Sequence, residues 1–222
     1  MVVLPRRARA AGGLTPAPTR RSTRVTRVYL ERGSTWTFAS ALEWPGWCRR
    51  ARSEQAAVEE LLDYQERYEL VVGPSFTPGR LEIIGEVTGN ATTDFGAPTA
   101  RGPWDEESDQ VDVRRMVGLL ESAWHYLDRV VAIAPPALRK GPRGGGRNRD
   151  QVVDHVREAE RRCGSKVGGR VTPRTPWSDQ RAVIVDSLLK EPYEGAWPAS
   201  YSIRWMAWHV LDHAWEIEDK SD

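Results

Sequence analysis

His209 and His213 stand four residues apart in the run Arg204-Trp205-Met206-Ala207-Trp208-His209-Val210-Leu211-Asp212-His213. On a helix that spacing puts both imidazoles on one face, with Cβ atoms about 5–6 Å apart, close enough to share one ion. A wheel at about 100° per residue has Ile203, Met206, Ala207, Val210, Ala214 and Ile217 marking the core. It sets His213 at the margin of the buried face and His209 one step further out, beside Asp212 and Glu216. His155 lies at the edge of a second apolar stripe, Val152, Val156 and Ala159. Supplied from a neighbouring helix, it completes a three-histidine set with coordination positions left open for water or substrate, which suits a divalent transition ion better than a closed structural site does. His125 points away from its own stripe of Leu120, Trp124 and Leu127 and is excluded. A histidine pair on a helix flank is more often an ordinary core-margin pair held by local hydrogen bonds. The third histidine strengthens the metal reading, but on spacing and face alone the ordinary pair stays the plainer one.

The remaining reactive side chains read more simply. Asp212 and Glu216 are either partners of the histidines or a general base, and a solvated acidic face is the plainer expectation. Cys48 and Cys163 fit small core residues better than nucleophiles. The stretch Arg139 to Arg149 could receive an anion, but its Gly-Pro-Arg-Gly-Gly-Gly core ends in no Lys-Ser or Lys-Thr, so it reads as a solvated connection and not a phosphate loop. There is no Gly-x-Ser-x-Gly elbow.

Four helices must carry these groups. Val113, Met116, Val117, Leu120, Trp124, Leu127 and Val131 predict one over 111–133, stopped by Pro135-Pro136. Asn148 with Gln151 three residues on is a capping box opening a second, which closes near Gly164. A third is predicted over 178–190 and a fourth over 201–219. Trp208, Leu211 and Trp215 form a second apolar strip on the last helix, which needs cover from the N-terminal part or from a second subunit. Upstream, Val28–Arg32 and Thr35–Ala41 alternate around Gly33-Ser34, predicting a hairpin. Cys48–Ala51, Leu70–Val72 and Leu81–Val87 read as further strands, and a helix capped by Ser53 runs to Tyr68 with Ala57, Leu61 and Leu62 on its inner face. Residues 88–107 lack periodicity and read as a boundary or interdomain arm.

Composition bounds the rest. The 222 residues are 40% hydrophobic and 28% charged, enough for a core and one or two domains. The seven arginines of residues 1–27 outweigh a net charge of +1, which leaves residues 28–222 at −6. Nucleic-acid contact is therefore expected at most from a basic, disordered tail over 1–24. No apolar run spans a membrane, and two cysteines make no disulfide framework, so a cytoplasmic protein is expected.

Two segments carry a family resemblance. Asn148-Arg149-Asp150-Gln151-Val152-Val153-Asp154-His155-Val156 is similar to the helix-two opening of the DinB-like superfamily, and Arg204–His213 is similar to its last-helix HxxxH segment. Over residues 108–219 the resemblance implies a four-helix bundle whose metal ligands are His155, His209 and His213. It also implies thiol-dependent S-transfer or isomerisation, with a low-molecular-weight thiol such as mycothiol as co-substrate. The family often has a Trp-Ser pair at the cap, whereas this chain has Arg147-Asn148, so the site entrance and substrate class stay open. Residues 28–70 resemble the HicB-like domain through the hairpin, Ala41-Leu42-Glu43-Trp44-Pro45-Gly46-Trp47-Cys48 and the Ser53 helix, which implies a partner-binding module.

The expectation is an α+β protein: a basic tail over 1–24, a HicB-like sheet-plus-helix module over 25–100 and an antiparallel DinB-like four-helix bundle over 108–220. Zinc or nickel would sit on the three histidines, making a transferase, isomerase or hydrolase acting on a small molecule, with a homodimer as one way to cover the last helix. The alternative is a non-enzymatic interaction or regulatory protein.

Overall fold

The structure, a computed structural model, describes residues 24–106, 112–141 and 145–221. The tail expected over 1–24 lies outside these residues except for Arg24. The fold is α+β. A four-stranded mixed sheet has the order β3-β2-β1-β4, with β1 at Val25–Arg32, β2 at Thr37–Ala41, β3 at Cys48–Ala51 and β4 at Arg80–Thr88. β1 pairs antiparallel with β2 (Val28 opposite Ala41) and parallel with β4 (Val25 opposite Arg80), and β2 pairs antiparallel with β3 (Thr37 opposite Ala51).

The hairpin and third strand form as the alternation predicts, but the turn is longer than the expected dipeptide. It spans 33–36 because Asp94 accepts from the Thr35 amide and the Ser34 hydroxyl, both at 2.6 Å, which draws Thr35 out of the strand. The Ser53 helix breaks at Tyr64 into α1 (Glu54–Asp63) and α2 (Gln65–Val72). Leu70–Val72, expected as a strand, is the last turn of α2. Tyr68 and Val71, three apart, bury together there, and Gly73 at φ 73° ends the helix. Leu62, expected on the inner face, is 45% exposed.

The aperiodic stretch after β4 is firmly placed. It contains α3 (Ala91–Phe95) and a 3-10 turn at Pro103–Asp105. The buried Glu31 carboxylate accepts from the Thr93 hydroxyl and, at 3.0 Å each, from the Thr99 and Ala100 amides. Trp104 packs on Tyr29 with ring centroids 4.8 Å apart, and Asp105 pairs with Arg204, both buried.

Four long helices follow: α4 (Val113–Ile133), α5 (Arg149–Lys166), α6 (Trp177–Leu188) and α7 (Ala199–Asp219). α4 packs on α7 and α6, and α5 packs on the same two, so the four close a ring. The capping box at Asn148 and Gln151 forms, each side chain accepting from the other's backbone amide at 2.8 and 2.9 Å. The stripe of α5 turns past Ala159 to Glu160, which is buried and paired with Arg181 and Trp177 from α6. No helix among the described residues is long and apolar enough to cross a membrane.

α7 is covered on both sides, and the N-terminal module supplies the second cover. Trp208 meets Phe38 edge-on at 6.1 Å, and Trp215 meets Tyr64 at 5.1 Å. Val28 and Leu30 of β1, Trp47, and Met206 and Val210 of α7 belong to one continuous core. The Trp44-Pro45-Gly46-Trp47 turn makes this contact possible. Gly46 has φ 93°, and a Cβ there would lie 2.7 Å from Leu211 Cδ1 and 3.2 Å from the Ala207 backbone. Gly46→Ala therefore combines a left-handed backbone penalty with overpacking, and the expected destabilisation is at least about 2 kcal/mol. Urea unfolding measures it; a loss below about 0.5 kcal/mol would mean the turn is not held against α7.

Candidate metal centre

The three histidines singled out by spacing and face converge. One ring nitrogen from each of His155, His209 and His213 lies within 4.8 Å of the others. His209 Nε2 is 3.1 Å from His155 Nε2, and the ring centroids are 4.6–5.0 Å apart. For a tetrahedral ion with nitrogen ligands at about 2.0–2.1 Å, two ligand nitrogens sit about 3.3 Å apart. The α5–α7 pair is thus already at ligand spacing.

The burial differs from the wheel's. His209 and His213 are 7% and 8% exposed, deeper than a helix flank implies: His209 lies against Trp205, Trp208 and His155, and His213 against His155 and Glu216. His155 remains exposed. His209 stacks on Trp205 at 5.2 Å with ring planes 12° apart, and its Nδ1 has no hydrogen-bond partner among the described residues. His125 is exposed on α4, away from the cluster.

Glu216 is not on a solvated face. Its Oε2 accepts from His213 Nδ1 at 2.8 Å and from Arg147 at 3.0 Å, and its Oε1 accepts from Lys220 at 2.6 Å. These contacts, the His213 bond foremost, hold its carboxyl well below the usual range. A carboxylate here takes a proton carried on His213 Nδ1, and in that tautomer Nε2 is the lone-pair atom that a metal ligand requires; Arg147 Nη2 lies 3.4 Å from the same Nδ1. Asp212 pairs with Arg49 at 3.3 Å, so it too is engaged and is not a free base. Arg147, from the loop read as a solvated connection, belongs to the site. Loop residues 142–144 lie outside the described ones. Glu216→Ala is expected to weaken metal binding about 10–100-fold with the three ligands intact, which competition with a chromophoric chelator would measure. An unchanged affinity would remove Glu216 from the site's support.

Burial lowers the proton affinity of His155 and His209, the latter strongly, with the neighbouring imidazoles and Arg147 acting in the same direction. Folded, both stay neutral where the unfolded chain takes up protons, near pH 6.5. Their contribution is present at neutral pH and lost as pH falls below that value. The raised carboxyls of Glu31 and Glu160 act oppositely, stabilising the fold on acidification. Metal-free protein should therefore lose more stability between pH 7.5 and 5 than a His155→Leu/His209→Leu variant that shares those carboxyls. Parallel pH profiles would contradict this.

Both cysteines are buried, and burial pushes each thiol up to about 12, so neither is a thiolate at neutral pH.

The histidines open into a cleft of about 1070 Å³ between the N-terminal module and the bundle. Arg49 and Arg50 of β3 line it from one side, and Lys166, Trp197 and Trp205 from the other. Motif reading misses these five, since nothing local in the sequence shows that the module docks on α7. The only hint is the second apolar strip on that helix.

Compared with family models, with curated proteins and with solved structures, the chain matches none of them.

Proposed function

We propose that this protein binds one divalent transition ion, zinc or nickel, through His155, His209 and His213, and uses it in a transferase, isomerase or hydrolase reaction. The observation that carries the proposal is the meeting of imidazole nitrogens from two different helices at 3.1 Å, beside a third imidazole hydrogen-bonded to the half-buried Glu216 carboxylate. A bound divalent ion would supply the charge that makes a coordinated thiol or water a nucleophile at neutral pH.

The chain's own groups prepare the site. Burial keeps His209 neutral, so its lone pair is available, and stacking on Trp205 holds the ring. Glu216, itself anchored by Arg147 and Lys220, orients His213. The nearly closed wall of α7 keeps bulk water from one side, while exposed His155 faces the open cleft, where a substrate enters. A small thiol such as mycothiol enters the reading as co-substrate through the resemblance of Asn148–Val156 and Arg204–His213 to the DinB-like helices; both cysteines of the chain itself are buried.

The test is a panel of thiol S-transfer, isomerisation and ester-hydrolysis reactions run on chelator-stripped protein, then after restoring zinc or nickel. Turnover that appears only with the ion supports the reading. Turnover that persists in fully metal-free protein overturns it.

A further inference from the structure

The cleft that holds the histidines has a distinct chemistry at its far end. An aromatic run leads away from the metal-ligand cluster: His209 stacks on Trp205, and Trp205 meets Trp197 at 6.5 Å. The Lys166 ammonium lies 6.0 Å from the centre of the Trp197 ring. The Lys166 carbonyl accepts from the Ala196 and Trp197 amides, at 2.7 and 3.2 Å, which ties the end of α5 to this tryptophan. Opposite, Arg50 donates to the carbonyl of Gly96, which ends α3 at φ 118°. Phe95, one residue before, is 92% exposed beside the same cleft.

The charges are unbalanced. Arg49, Arg147, Arg162 and Lys220 each pair with a carboxylate. Arg50 and Lys166 have none among the described residues. The lining therefore offers two uncompensated cations, flat aromatic surface, and a volume at the upper end of the range that encloses a drug-sized molecule. Lys166 is also the last residue of α5, where the negative end of the helix dipole opposes any anion, and a polyanion more than a single charge. Together these features select one anionic charge on a planar body.

We propose that the cleft takes an aromatic carboxylate, its ring against the corner formed by Trp197 and Trp205, whose planes stand 73° apart, and its charge drawn by the cations Arg50 and Lys166. This deepens the reading of the site as a metal-dependent enzyme by naming its substrate class, with the ligand's other end directed toward the histidines.

The test is calorimetric titration of naphthalene-2-carboxylate, naphthalene-2-carboxamide and AMP into metal-free and zinc-treated full-length protein. The carboxylate should bind at least about 10-fold tighter than the neutral amide in metal-free protein. Arg50→Ala/Lys166→Ala should erase that difference and leave amide binding unchanged, whereas Trp197→Ala should weaken both naphthalene probes. These side chains are exposed or half-buried, and far-ultraviolet circular dichroism checks that each variant folds. Equal affinity for the two probes, or a preference that survives the double substitution, overturns the proposal. Tighter binding of AMP than of the carboxylate overturns it as well, in favour of a phosphate ligand. The decisive comparison needs no metal. Failure of zinc to bind would sink the metal reading alone, and equal binding of the two naphthalene probes to the metal-free form of a protein that does take up zinc would sink this one alone.

Discussion

Replacing His155 by alanine is expected to weaken zinc or nickel binding by at least about 100-fold, about 2.7 kcal/mol, while leaving the fold intact. His155 is exposed on α5, so its side chain adds little to the core, yet its Nε2 is the one that meets His209 Nε2 at 3.1 Å. The loss is therefore a ligand loss and not a packing loss. His209→Ala should cost as much affinity but also some stability, because it empties a buried position between Trp205 and His213. Chelator competition gives the affinities, and urea unfolding without metal gives the stabilities. If His155→Ala bound metal as the parent does, the ion would not be held between α5 and α7.

The second large effect concerns the contact that fastens the linking segment to the bundle. Arg204 on α7 and Asp105 pair with side chains 7% and 1% exposed, and the other Asp105 oxygen accepts from the Gly102 amide at 2.7 Å. Two charges this deep gain little over an apolar pair of the same size, but one left alone is costly. Arg204→Met is thus expected to destabilise the protein by about 3–5 kcal/mol. Arg204→Met/Asp105→Leu should recover most of that loss, with the Gly102 hydrogen bond as the residue that does not return. Equal destabilisation in the single and double variants would mean that the cost lies in packing against Tyr29, not in a stranded carboxylate.

The elements were legible in the sequence where local signals were strong. The Asn148–Gln151 box opens α5 where expected, and the period of Met116, Leu120 and Leu127 runs through α4. Helical periodicity put each of the three histidines at or just outside the core margin of its own helix; that the two helices bring them together is a matter of packing that periodicity does not show. What local pattern could not show is anything set by docking. Two tryptophans and a leucine on α7 announced that something must cover them, but not that β2, Tyr64 and the Gly46 turn do so. Arg49 and Arg50 reach the cleft through that docking, whereas Glu216 takes its partners from α7 and from Arg147 ahead of α5, a meeting of separate segments that no local pattern shows. The reading of Leu70–Val72 as a strand failed for a related reason: three apolar residues have no period of their own, and the packing of Tyr68 and Val71 decides for helix.

The most direct measurement is the metal content of the full chain, purified without a metal-binding tag and exposed to zinc or nickel, beside His155→Ala prepared identically. About one equivalent of divalent ion per chain in the parent, absent from the folded variant, is the expected result. No ion in either protein after that exposure would contradict the three-histidine site and leave the imidazoles as a buried hydrogen-bonded cluster.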